Sequence, residues 1–158
     1  MTFPLPAFGS IDATRVGSKL YMGSAPHNPT IGAHGFHVVV LCAMEYQPDH
    51  RMFPGVQVVR VPLDDCQITV DIANRGLQAA AHVAACVRGG KRVLVTCAQG
   101  RNRSGLVAGL AMVLNGKPGE DAVRDIQLVR PHALTNTTYA DFVKYYRNSA
   151  RSTRAASA

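Results

Sequence analysis

Cys97, Arg103 and Ser104 lie within the stretch Lys91 to Gly105, KRVLVTCAQGRNRSG, which holds the side chains best suited to chemistry. A cysteine thiolate is a strong nucleophile. The planar guanidinium of Arg103, six residues later, can bind two oxygens of one phosphate group. Ser104 offers a hydroxyl group to the sulfur. This pattern predicts nucleophilic attack on a bound phosphate group.

The residues around Cys97 predict a strand, a loop and a helix. Val93 to Thr96 is a short apolar and β-branched run, typical of a buried strand, and an apolar-periodic helix is expected from Ser104 to Asn115. The first N–H groups of a helix lack carbonyl partners and carry partial positive charge, so they attract phosphate and favour the thiolate form of a nearby cysteine. The residues expected to bind phosphate are Ala98, Gln99, Gly100, Arg101, Asn102 and Arg103.

The string C-A-Q-G-R-N-R-S-G, residues 97–105, resembles the phosphate-binding loop of cysteine-dependent protein tyrosine and dual-specificity phosphatases. Two features depart from that pattern. Thr96 stands where the family usually has histidine, and Arg101 adds a cation beside Asn102. The string G-x-N-R-S-G is also similar to that of RNA triphosphatases of the same superfamily. The alternative for Cys97 is a small buried apolar residue at a strand end.

Asp65 is the expected general acid. The strand predicted over Val56 to Leu63 ends in V-P-L-D-D, so Asp64 and Asp65 should emerge at the sheet edge from which Cys97 emerges. Breaking a phosphate monoester requires a proton on the leaving oxygen, and a carboxylic acid can supply it. Asp65 precedes Cys97 by 32 residues, a spacing similar to that of the phosphatases, so we choose it over Asp64. A solvated carboxylate, or a helix cap before Thr69, is the alternative.

The remaining pattern predicts one α/β domain, with a twisted, mainly parallel central sheet flanked by helices on both faces and a C-x-x-x-x-x-R loop between a strand and a helix. The predicted boundaries are an irregular segment at 1–17, a phosphatase-like domain at 18–147 and a disordered basic tail at 148–158. Further strands are expected at Lys19 to Gly23 and His37 to Leu41. Further helices are expected at Thr69 to Arg88, from Pro118 to Arg130, and after an Asn136 cap.

Composition narrows the function classes. The net charge of +7 favours acidic substrates, and Lys91, Arg92, Arg101 and Arg103 are expected to surround the pocket. No apolar run approaches the ~20 residues of a membrane span, and the four cysteines show no metal-ligand spacing. A nucleophilic thiolate requires reducing conditions, so we expect a cytoplasmic protein whose cysteines are free thiols. We expect neither a metal nor a cofactor.

The resemblance implies a phosphate-monoester hydrolase that acts on phosphorylated proteins through a cysteinyl-phosphate intermediate, with Cys97, Arg103, Asp65 and Ser104 as its catalytic residues. Two alternatives stay open. One is an RNA 5′-triphosphatase or phosphoinositide phosphatase with the same chemistry, which Arg101 and the net charge favour. The other is a non-catalytic phosphate-binding module. The sequence does not determine the oligomeric state.

A redox partner is implied by a second resemblance. The segment V-V-V-L-C-A-M-E-Y resembles the V-C-x-A-T-Y stretch of phosphatases of regenerating liver, and V-P-L-D-D resembles their W-P-F-D-D. In those proteins a cysteine at the place of Cys42 partners the nucleophile, so the resemblance implies a disulfide between Cys42 and Cys97. Cys66 is the competing partner, and a core role for Cys42 is the alternative.

Overall fold

The computed structural model describes residues 11–27 and 29–147, which form a five-stranded sheet, four α-helices and two short 3-10 helices. The strands are β1 (Thr14–Gly17), β2 (Leu20–Gly23), β3 (Val38–Ala43), β4 (Gln57–Leu63) and β5 (Val93–Thr96). The α-helices are α1 (Val70–Arg88), α2 (Arg103–Leu114), α3 (Gly119–Val129) and α4 (Thr137–Tyr145). The 3-10 helices span Gly32–His34 and His50–Met52.

The sheet is mainly parallel, as predicted. Its strand order is β1-β2-β5-β3-β4, and only β1 and β2 pair in antiparallel fashion. β5 lies at the centre, where Val93 faces Val38 and Thr96 faces Leu41 of β3. Every residue of β3 and β5 is buried, as expected of parallel strands covered on both faces. The carboxyl ends of β3, β4 and β5 therefore meet at one edge, where sites form in such sheets.

The two faces of the sheet are covered differently. On one face, Val38 and Val40 pack in a core that includes the buried residues of all four α-helices. On the other face, Val39 and Leu41 belong to a smaller cluster. Short segments with 3-10 helices cover this second face. Helices were predicted on both faces, but among the described residues the α-helices pack on the first face. The connection from β2 to β3 spans residues 24–37 and carries two prolines, and is too interrupted for an α-helix.

The predicted N-terminal boundary is wrong in part. Residues 14–17, assigned to an irregular segment, form β1, and the expected first strand is the second one, shortened to Leu20–Gly23. A four-residue strand that ends in glycine gives little periodicity to read. Residues 1–10 and the tail at 148–158, predicted to be irregular and disordered, lie outside the described residues.

Helix caps agree with the sequence prediction at two places. The hydroxyl oxygen of Thr69 accepts a hydrogen bond from the N–H of Ile72 at the start of α1. The side chain of Asn136 accepts one from the N–H of Tyr139 at the start of α4. Both caps lie beside the loop that carries Asp65. Within the described part of the chain, no helix is long and apolar enough to cross a membrane.

Candidate active site

Cys97 directly follows β5, and α2 begins six residues later at Arg103, so the loop between them has the predicted strand–loop–helix setting. Gly100 has a positive φ of 65°, and a Cβ there would lie 2.6 Å from the carbonyl group of Gly23. A glycine is therefore required at this bend. The loop forms the wall of a cleft of about 370 Å³, lined by Asp65, Cys97, Ala98, Gln99, Arg101, Asn102, Arg103 and Thr135.

The backbone of the loop presents its N–H groups for binding. The carbonyl oxygens of residues 98–101 all accept hydrogen bonds from outside the loop. The donors are the N–H of Ala25 (3.4 Å), Nη2 and Nε of Arg130 (3.1 and 2.5 Å) and the N–H of Leu134 (3.0 Å). Among the described residues, the N–H groups of residues 98–103 have no hydrogen-bond partner. Successive unpaired N–H groups beside a helix N-terminus make an anion-binding nest.

Cys97 lines the same cleft as this loop. Its Sγ is 3.2 Å from Oγ of Ser104, and both side chains are buried. The two atoms lie within hydrogen-bonding distance, so the structure brings Cys97 and Ser104 together as predicted. Thr96, which replaces the usual histidine, donates its hydroxyl to the carbonyl of Val40 at 2.8 Å. This hydrogen bond links β5 to β3 at the residue before Cys97.

Glu45 holds Arg103, and sequence reasoning missed it. Nη1 of Arg103 donates to Oε2 of Glu45 at 2.6 Å and to the carbonyl of Leu63 at 2.9 Å, while Nη2 donates to Oε1 of Glu45 at 2.6 Å. Hydrogen bonding from Arg103 lowers the pKa of Glu45 to about 2, and the same pair raises the pKa of Arg103. The position of Glu45, two residues after β3 at the edge shared with Cys97, was the signal available in the sequence.

These bonds leave a two-donor edge of Arg103 free. An arginine has five N–H donors, and the three bonds to Glu45 and Leu63 use both hydrogens of Nη1 and one of Nη2. Nε is buried and has no hydrogen-bond partner among the described residues. The Nε–H and the remaining Nη2–H therefore form a fork that fits two oxygens of one tetrahedral anion.

Asp65 lines the same cleft as Cys97. Its Oδ2 accepts from Nδ2 of Asn102 and its Oδ1 from Nδ2 of Asn136, both at 3.0 Å. Asp64 does not line the cleft, and its carbonyl oxygen accepts from the hydroxyl of Tyr139. The structure thus brings Asp65, rather than Asp64, to Cys97.

Solved structures of phosphatases resemble this chain over most of its length. A mouse dual-specificity phosphatase, solved as a complex with zinc tungstate, is 25% identical; the match covers 98% of this chain and 94% of that one, with a TM-score of 0.76. Human DUSP28 is 26% identical, with 90% and 97% of the two chains covered and a TM-score of 0.74. The chain has the dual-specificity phosphatase fold. These neighbours support a phosphatase function.

More distant comparisons add the fold alone. Tk-PTP in its active form is 23% identical, and the match covers 84% of this chain and 94% of that one, with a TM-score of 0.72. A scan against protein-family models and a search of the curated proteins gave no match.

Arg130 supports the phosphatase loop from outside, a role that sequence reasoning also missed. Besides its bonds to the loop carbonyls, its Nη1 and Nη2 donate to the two carboxylate oxygens of Asp12 at 2.9 and 2.7 Å. Hydrogen bonding from Arg130 lowers the pKa of Asp12 to about 2, so the pair stays charged at neutral pH. The sequence predicted only that Arg130 would end α3.

The sequence predicted four basic residues around the phosphatase cleft, and for two of them the prediction is wrong. Arg101 is exposed and lines the cleft, and Arg103 is buried in its wall. Arg92 instead lies at the opposite end of β5, with its guanidinium 5.0 and 4.9 Å from the ring centroids of Tyr21 and Phe36. Lys91 precedes it. A four-residue strand separates both residues from Cys97 by roughly 15 Å, so they cannot contact a phosphate bound there.

Cys42 follows Leu41 in β3, and Leu41 pairs with Thr96, the residue before Cys97. If this register is extended by one residue, Cys42 falls beside Cys97, at the ~4.8 Å spacing of neighbouring strands. Both side chains are buried. Burial and the nearby Cys97 raise the pKa of Cys42 well above its usual value. Cys66, the competing partner, is exposed.

Proposed function

We propose that this protein removes phosphate from phosphorylated tyrosine, serine or threonine side chains through a cysteinyl-phosphate intermediate, with Cys97 as nucleophile. One observation carries the proposal. Cys97, loop residues whose N–H groups are unpaired, and Arg103 with its unpaired Nε–H all line one cleft. This arrangement supplies a nucleophile and donors for three phosphoryl oxygens at the same place.

In the first step the thiolate of Cys97 attacks phosphorus. A sulfur–phosphorus bond forms while the bond from phosphorus to the leaving oxygen breaks, and the protonated carboxyl group of Asp65 gives its proton to that oxygen. The Nε–H and Nη2–H of Arg103 bind two of the phosphoryl oxygens as the charge redistributes. The hydroxyl of Ser104, 3.2 Å from the sulfur, stabilises the thiolate.

In the second step water replaces the sulfur. Asp65, now a carboxylate, takes a proton from the water molecule as its oxygen bonds to phosphorus, and the sulfur–phosphorus bond breaks to return the thiolate of Cys97. Ser104 again donates to the departing sulfur. The products are inorganic phosphate and the starting form of the enzyme, with Asp65 protonated once more, so the cycle needs neither metal nor cofactor.

The cycle requires a reduced Cys97, so we propose a reducing compartment, the cytoplasm, as its setting. The four cysteines are free thiols, which supports this proposal. Arg101 on the rim of the cleft supports acidic substrates in general.

A substrate panel tests the proposed function. Phosphotyrosine and phosphoserine peptides, triphosphate-ended RNA and a phosphoinositide are each incubated with the wild type, Cys97→Ser and Arg103→Lys, and released phosphate is measured. We expect peptide hydrolysis by the wild type alone, because a serine hydroxyl is not ionised near neutral pH and an ammonium group cannot supply the two-donor fork.

The same proteins are titrated with tungstate, a tetrahedral oxyanion, in a calorimeter. Cys97→Ser should still bind it, since the loop N–H groups and Arg103 remain. Turnover by Cys97→Ser would exclude the covalent route. Faster hydrolysis of the RNA or the lipid than of either peptide would replace the proposed substrate class. Oxyanion binding without any turnover by the wild type would indicate a binding module.

A further inference from the structure

We infer that Asn102 and Asn136 are positioning residues for Asp65, and that they fix the proton-donor loop over the cleft before substrate binds. The inference rests on the proposed function, because it assigns these residues to the proton transfer that Asp65 performs. The two asparagines come from different elements, the phosphatase loop and the start of α4, and both reach the same carboxyl group.

The orientation of the Asn102 amide is determined by its own contacts. Its Oδ1 accepts a hydrogen bond from the backbone N–H of Asn136 at 2.8 Å. A backbone N–H can only donate, so the oxygen of the amide must face it and the nitrogen must face Asp65. Asn102 makes no capping bond to α2 with its side chain. Its amide therefore joins the phosphatase loop to Asp65.

Asn136 is oriented in the same way. Its Oδ1 accepts from the N–H of Tyr139 at 3.3 Å and from the hydroxyl of Thr138 at 2.9 Å. Its Nδ2 then donates to Oδ1 of Asp65 at 3.0 Å and to the carbonyl of Cys66 at 2.8 Å. One side chain thus caps α4 and binds both Asp65 and the residue that follows it.

The loop on either side of Asp65 is also fastened to the first turn of α4. The hydroxyl of Tyr139 donates to the carbonyl of Asp64, and the N–H of Ile68 donates to Oγ1 of Thr138 at 2.9 Å. Tyr139 is buried, and burial raises its pKa to about 12, so its hydroxyl keeps the proton it donates. Asn136, Thr138 and Tyr139 thus hold residues 64, 65, 66 and 68 against the start of α4.

This arrangement suits a group that alternates between acid and base. Each carboxylate oxygen of Asp65 accepts one amide N–H. When Asp65 is protonated, its carbonyl oxygen still accepts from one asparagine while its O–H is free to face the leaving oxygen. The carboxyl group therefore needs no reorientation between the two steps, and a displacement of about 1 Å at such a group can cost ~100-fold in rate.

Two variants test the assignment. Asn136→Ser keeps a good helix cap but removes the amide donor, and Asn102→Ala removes the donor from the phosphatase loop without removing a cap. Asn74→Ser, on the exposed side of α1, is the matched control. Each is assayed on two aryl phosphates, one with a strongly acidic phenol and one with a weakly acidic phenol, in the wild-type and Asp65→Asn backgrounds.

For the aryl phosphate that releases the weakly acidic phenol, we expect kcat to fall ~10- to 100-fold in both variants. For the other aryl phosphate, kcat should change by less than about threefold, because its strongly acidic phenol leaves without a proton. KM and inhibition by inorganic phosphate should stay unchanged. In the Asp65→Asn background neither substitution should reduce kcat further, because their effect passes through Asp65. Asn74→Ser should match the wild type.

An equal loss on both phenols, or a loss that adds to that of Asp65→Asn, would overturn the inference and make the asparagines structural residues. Unchanged kcat in both variants would overturn it as well. A wild type that hydrolyses neither aryl phosphate would overturn the proposed function itself. That outcome is distinct, because it appears before any asparagine variant is compared.

Discussion

Substitution of Glu45 by glutamine should weaken catalysis by releasing Arg103. The carboxylate accepts two hydrogen bonds of 2.6 Å from a guanidinium that is only 8% exposed, while Glu45 itself is 54% exposed. Hydrogen bonds to charged groups contribute about 1.5–3 kcal/mol when shielded, and solvent at a half-exposed carboxylate reduces this towards the ~0.2–1 kcal/mol of surface pairs. We therefore take about 1–2 kcal/mol for the change to glutamine, which keeps one acceptor oxygen.

At ~1.36 kcal/mol per factor of ten, kcat/KM should fall about 5- to 30-fold. The assay measures kcat/KM for an aryl phosphate and the affinity for tungstate, with thermal unfolding as a check on the fold. Glu120→Gln, an acidic substitution in the first turn of α3, is the control and should leave both values unchanged. If Glu45→Gln stays within twofold of the wild type in both measurements, the carbonyl of Leu63 and packing alone orient Arg103, and the reasoning is wrong.

The same pair predicts a pH dependence of stability. Because the pKa of Glu45 is lowered from 4.5 to about 2 in the folded protein, its stabilisation is complete above about pH 4.5 and is lost as the pH falls towards 2. The difference in denaturation midpoint between the wild type and Glu45→Gln should therefore be constant from pH 7 to about 5 and shrink below that. A difference that stays constant down to about pH 3 would contradict the pairing.

Three further predictions concern the loop and its surroundings. Gly100→Ala should lower kcat/KM by more than tenfold and weaken tungstate binding, because a Cβ at this positive φ meets the Gly23 carbonyl. If the variant binds tungstate as tightly as the wild type, the loop tolerates the strain. Arg101→Ala should reduce activity on polyanionic substrates more than on phosphotyrosine, since the exposed cation can contact a second phosphate. Equal losses of activity on both substrates would mean that Arg101 serves to fold the loop. Mild peroxide should join Cys42 to Cys97 reversibly, because each directly follows one member of the Leu41–Thr96 pair, and continuing that register would bring their Cα atoms within disulfide range. If the peroxide-treated Cys42→Ser variant regains as much activity in thiol reductant as the wild type, this disulfide does not protect Cys97.

Local sequence was sufficient to predict the centre of the site. Residues 93–105 carry the local preferences of a strand, a tight loop and a helix, and the structure has these elements in that order, so Cys97, Gly100, Arg103 and Ser104 lie within one short unit. The parallel sheet followed from buried β-branched runs separated by helical ones. Because strand ends of a parallel sheet share one edge, the V-P-L-D-D segment could be placed beside Cys97 as well.

The residues that hold the site in place could not be found in this way. Glu45 is 58 residues from Arg103, Asp12 is 118 residues from Arg130, and Asn136 is 71 residues from Asp65. In the sequence each is an ordinary polar residue after a strand, near the N-terminus or at a helix cap. The four-residue β1, and the covering of one sheet face by 3-10 turns, likewise left no periodic pattern to read.

The sequence by itself determined the proposed nucleophile, the strand–loop–helix unit that carries it and the edge of the sheet where that unit lies, because those features arise from residues close together in the chain. Only the tertiary structure decided which carboxylate orients Arg103, which cation supports the loop carbonyls and which amides hold Asp65. Such pairs are chosen by strand order and helix packing, which bring distant residues together, and a charged or amide side chain does not encode its partner.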